Sequence, residues 1–70
     1  MLEYRTVHDE PRLGKQIITE SHSYTSEEEM IAHKAKLLLV GYKDLGCMRV
    51  PNPTFSKAKL INTYQLGKPL

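Results

Sequence analysis

His8, His22, His33, Cys47 and the triplet Glu27-Glu28-Glu29 are the side chains of this 70-residue sequence best suited to move protons, attack an electrophile or hold a metal. Their spacing argues against each of these uses. Mononuclear zinc sites draw on His or Cys residues a few positions apart, and no two of these lie that close. A reactive thiol needs a neighbour that stabilises the thiolate, and Cys47 has only Arg49 alternating onto its side of an extended run. There it is expected to act as a small buried hydrophobe. The three glutamates cannot grip one cation together, because consecutive helical side chains point about 100° apart. Glycine-rich phosphate loops, the dinucleotide fingerprint and the serine-hydrolase elbow are all missing from the sequence. No catalytic residue, metal or cofactor is therefore expected. His22 reads as a solvated strand residue, and His33 as a helix-surface residue paired with Glu29 one turn earlier.

The basic residues offer a different chemistry. Residues 1–35 carry four Lys/Arg against seven Asp/Glu, and residues 36–70 carry six against one, so the halves differ in sign within a net charge of +2. Arg49, Lys57, Lys59 and Lys68, with Tyr42 or Phe55 near enough to stack a base, make nucleic-acid binding the alternative function. Lysines on an edge strand also protect a sheet from pairing with another sheet.

The elements that must position these residues follow from periodicity and punctuation. Leu2 to His8 alternates, with Leu2, Tyr4 and Thr6 on one side and Glu3, Arg5 and Val7 on the other, as a half-buried strand does. Pro11 and Gly14 mark a turn, and Lys15 to Tyr24 resumes extended character, which completes a hairpin. Thr25-Ser26-Glu27-Glu28-Glu29 opens a helix over Ser26–Val40 through a capping box at Thr25/Glu28 or Ser26/Glu29. The glutamates at its start and Lys34 and Lys36 towards its end suit the helix dipole, and Gly41 stops it.

Ile31, Ala35 and Leu38, continued by Tyr42, form the line expected to face the sheet, which leaves Met30 and Leu37 on a second apolar line for a loop, the C-terminal tail, a partner or a second copy to cover. Leu45, Cys47, Met48 and Val50 suggest a third strand ended by Pro51-Asn52-Pro53. Residues 57–66 suggest a fourth, with Ala58, Leu60, Asn62, Tyr64 and Leu66 on one face and Lys57, Lys59, Ile61, Thr63 and Gln65 on the other.

The fold expected is α+β: one β-β-α-β-β domain over residues 1–66, mainly antiparallel, with the helix packed on one face and residues 67–70 as a fraying tail. A chain this short has a thin stability margin and cannot form an internal disulfide from one cysteine. MLEYRTVHDE lacks the basic and apolar runs of a secretory segment, and Leu37 to Val40 is too short to cross a bilayer, so a cytoplasmic location without membrane attachment is expected. The function expected is a non-enzymatic protein-binding regulator or inhibitor. It would dock Met30, Leu37, Ile61 and Tyr64 against a protein partner or in a homodimer, an architecture common among accessory proteins of phages and mobile elements.

Overall fold

The computed structural model describes residues 1–49 and 60–70. In it, β1 (Leu2–Glu10), a 3-10 turn (Pro11–Leu13), β2 (Lys15–Tyr24), α1 (Glu27–Leu39), β3 (Lys43–Arg49) and β4 (Leu60–Pro69) follow one another along the chain. The strands form one antiparallel sheet in the order β1-β2-β4-β3. The expected α+β architecture is the one observed. The Pro51–Pro53 stop, Phe55, and the Lys57 and Lys59 positions lie outside the described residues.

The first hairpin closes through Gly14, whose φ of 65° is left-handed and whose N–H donates to Pro11 O. β2 and β4 then pair along their whole lengths, from Lys15 opposite Pro69 to Tyr24 opposite Leu60. That ladder corrects the expected tail. Gly67, Lys68 and Pro69 continue β4, and the Leu70 N–H donates to Gly14 O at 3.0 Å. Because β2 begins at Lys15, its first backbone groups would lack ladder partners on that side if β4 stopped at Leu66. Pro69 is tolerated at the strand's end, where its missing donor matters least.

Ser26 caps α1 by accepting from the Glu29 N–H, while the Glu29 carboxylate receives the Thr25 hydroxyl and N–H, so the second of the two capping registers is used. At the other end, Gly41 N–H donates to Leu38 O and Tyr42 N–H to Leu37 O, the paired bonds of a Schellman stop. Gly41 has φ 101°, a conformation that glycine adopts without the usual side-chain penalty.

The helix is rotated relative to the expectation. Met30, His33, Lys34 and Leu37 turn towards the sheet, whereas Ile31, Ala35, Leu38 and Leu39 are exposed. The reason lies in the sheet beneath, which presents Glu20, His22, Asp44 and Asn62 on that face. The line holding His33 and Lys34 is the one that finds polar partners below, the Tyr24 hydroxyl for His33 and the Asp44 carboxylate for Lys34. Met30 and Leu37 fill the space beside Tyr24, Tyr64, Tyr42 and Leu60, which form the core.

Candidate functional site

The described face of the sheet under α1 is mostly polar at its centre. Glu20 accepts from His22 Nε2 at 2.8 Å through one oxygen and from the Tyr42 hydroxyl at 2.8 Å through the other, with Arg5 Nε 3.8 Å away. The His22 and His33 rings meet edge-on with centroids 4.8 Å apart. His33 Nδ1 lies 2.6 Å from the Tyr24 hydroxyl, which lies 2.9 Å from that of Tyr64. On the far side, Asn62 donates to Asp44, whose other oxygen receives Lys34 Nζ at 3.1 Å. Cys47 is exposed on edge strand β3, although its thiol points to Met30 Sδ at 3.4 Å.

These contacts correct the sequence expectation for both imidazoles. His22 is buried rather than solvated, and His33 bonds Tyr24 rather than Glu29. Glu20 and His22 are two apart on one strand and therefore share a face, while α1 lowers His33 onto them. Beside the rings, a cleft of about 490 Å³ opens between α1 and the start of β1, lined by Met1, Leu2, Ala32 and Lys36 among others. Among the described residues, no three His, Cys, Asp or Glu side chains are grouped to hold a metal ion, and no helix is long and apolar enough to cross a membrane.

The hydroxyl protons have one arrangement in which both are accepted: Tyr64 donates to Tyr24, and Tyr24 donates to His33 Nδ1. It requires His33 to be neutral. Burial, with the electrostatic influence of the neighbouring His22, holds His33 below the usual imidazole range, in agreement. Burial raises both phenols, and the hydrogen bond with Tyr64 raises Tyr24 further, so the two remain protonated. For Glu20, burial acts upward, but the bonds from His22 and Tyr42 and the charges of His22 and Arg5 bring its carboxyl below the usual value.

A two-stage acid response is expected. A base lowered on folding binds its proton more readily when unfolded, so the His33 contribution is whole above the ordinary value of 6.5 and declines as pH falls through the lowered one. The Glu20 contribution is whole above 4.5 and is lost below it. Urea midpoints measured from pH 8 to 3 should show both stages, and His33→Gln should remove the upper one. A midpoint that stays flat from pH 7 to 5 would contradict this account of the buried chain.

The proposed contact residues divide. Met30 and Tyr64 are buried, at 7% and 0% exposure, and Leu37 packs half-buried against their cluster, so these three belong to the core and offer no free docking surface. Ile61 points to the opposite face, as expected for an odd-numbered β4 residue. Of the basic set, Lys57 and Lys59 lie outside the described residues. Arg49 pairs with Leu60 and Lys68 with Gln16, eight positions apart along β4, or roughly 27 Å. Arg49 and Lys68 therefore share no patch.

On that opposite face, one row across the sheet reads Tyr4, Ser21, Thr63 and Gly46. Its centre is small, and the Ser21 and Thr63 hydroxyls bond each other at 3.0 Å. Larger side chains surround it, which leaves a recess of about 510 Å³ bordered by Tyr4, Leu45, Met48 and Ile61. No described element packs over it. Tyr4, Leu45 and Met48 are largely exposed, so an apolar rim surrounds a floor that can hydrogen-bond.

Of this set, sequence reasoning singled out Ile61 alone. A bulge between Leu2 and Tyr4 places those two on opposite faces, contrary to the alternation expected, and a second between Asp44 and Gly46 shifts β3. Gly46, a glycine inside a strand, was the available signal for the second bulge.

Comparison of the chain with protein-family models, with curated proteins and with solved structures gives no match.

Proposed function

We propose that this chain is a small non-enzymatic protein-binding regulator or inhibitor that docks through the open face of its sheet. The observation that carries the reading is the recess bordered by Tyr4, Leu45, Met48 and Ile61, which can receive an apolar side chain of a protein partner while Ser21 and Thr63 offer it hydrogen bonds. A rigid four-stranded platform needs no reactive group to act in this way. Covering a partner's working surface is sufficient.

The imidazole pair belongs to the scaffold on this reading. One nitrogen of each ring is held by a neighbouring side chain, Glu20 for His22 and Tyr24 for His33, and the Tyr24 bond ties the helix to β2. Protein docking is favoured over nucleic-acid binding by the separation of Arg49 from Lys68 along β4.

The reading is tested with a photo-crosslinking residue at Leu45 in the native cell, followed by purification of whatever protein is captured. Substituting Leu45→Glu together with Met48→Glu should weaken that complex at least tenfold, a change of about 1.4 kcal/mol. Both side chains are exposed, so the fold should persist, as circular dichroism would verify. Unchanged affinity in the double variant would refute docking through this face. Salt-sensitive binding of DNA or RNA, lost with Arg49→Glu and Lys68→Glu, would replace the protein reading with the nucleic-acid one.

A further inference from the structure

α1 packs its mixed line onto the sheet and turns an apolar line outward. Ile31 is 59% exposed, Leu38 48% and Leu39 87%, although the helix is anchored on its other side by Met30, His33, Lys34 and Leu37. At about 100° per residue, the line diametrically opposite the anchored residues is Glu28, Ala32, Ala35 and Leu39. Ile31 and Leu38 border that line on one flank, and Glu29 and Lys36 border it on the other. All eight residues are exposed.

We infer that a second copy of this chain covers this face, with the two helices antiparallel. The residue pattern is self-complementary in that arrangement alone. A two-fold axis between Ala32 and Ala35 sets Ala32 of one copy on Ala35 of the other, and these small side chains let the helices approach closely. The same axis brings like flanks together: Ile31 meets Leu38 of the other copy on one side, and Lys36 meets Glu29 on the opposite side, each contact occurring twice. A parallel pairing would instead bring the Ile31/Leu38 flank against the Glu29/Lys36 flank, apolar against charged. Antiparallel packing also sets the acidic first turn of each helix beside the basic last turn of its neighbour, in keeping with the helix dipoles.

The contact is one helix of 13 residues, about 20 Å long, and so smaller than a standard interface. The association is correspondingly weak, with a Kd on the order of 100 µM. It leaves the recess on the opposite sheet face free, so self-association and partner docking use separate surfaces.

Sedimentation equilibrium of the full chain between about 20 µM and 2 mM reads it directly. Reversible dimerisation is expected, and Ile31→Glu with Leu39→Glu should weaken it at least tenfold while helical circular dichroism is retained. In a Cys47→Ala background, a chain carrying Ala32→Cys mixed with one carrying Ala35→Cys should form the mixed disulfide under mild oxidation. Exclusive self-linking of each chain would mean a parallel pair and overturn the arrangement. A chain that stays monomeric up to about 2 mM, or a dimer indifferent to the two glutamates, would overturn the interface.

Discussion

Tyr64→Ala is expected to lower the free energy of unfolding by about 3 to 5 kcal/mol, the cost typical of removing a buried aromatic ring. A core of this size supplies roughly the same amount in total, so the variant should be largely unfolded at 25 °C. Tyr64 is fully buried and stands between Tyr24 and the helix residues Met30 and Leu37. Its loss opens a cavity and also leaves the Tyr24 hydroxyl with one buried partner fewer. Tyr64→Phe separates the two effects, because it keeps the ring and removes only the hydroxyl, at about 1 to 2 kcal/mol. Urea unfolding followed by circular dichroism measures both. A loss under about 1 kcal/mol for the alanine variant would show that the core is not organised around this ring.

The second large effect is expected at Glu20. Glu20→Ala removes the acceptor of two donors, the buried His22 Nε2 and the half-buried Tyr42 hydroxyl, and should cost about 2 to 4 kcal/mol, since each hydrogen bond to a charged group contributes about 1.5 to 3 and the two are not additive. Arg5 adds little to this. It is half exposed and 3.8 Å away, and a solvated ion pair of that kind is worth less than about 1 kcal/mol.

The same variant should flatten the acid limb of stability. Wild-type protein loses the Glu20 contribution as pH falls below 4.5, whereas a chain without the carboxyl has no such contribution to lose. Urea midpoints at pH 7 and pH 3 should therefore lie closer together in the variant. An undiminished difference would assign the acid sensitivity to another carboxylate, with Asp44 next in line. The Asn62 amide, the Gly46 N–H and Lys34 hold that carboxyl below its usual range.

Glu20 also illustrates how far the candidate sites could be read in advance. Its position in a strand followed from the β-prone run Lys15 to Tyr24, but nothing local indicated that it would be buried under a helix. Its partners are His22, two residues away, and Tyr42, 22 residues away beyond the helix stop. The rotation of α1 was hidden for the same reason. On apolar periodicity alone, Ile31, Ala35 and Leu38 make the better inward line. The line that went inward carries His33 and Lys34, which bond Tyr24 and Asp44 on distant segments. The open-face recess depended on two strand bulges and on the neighbours of Ser21 and Thr63 in adjacent strands. Single-strand alternation specifies neither.

Local chemistry along the chain determined the element types, a capped helix start at Thr25 or Ser26, the Gly41 stop, the Gly14 turn and the division of β4 into two faces. Each of these needs only residues a few positions apart. The tertiary structure alone decided the insertion of β4 between β2 and β3, the burial of Met30 and Tyr64, the meeting of His22 with His33, and the exposure of Ile31 and Leu39. These depend on satisfying buried polar groups across distant segments, a requirement that arises only once the sheet and helix are stacked.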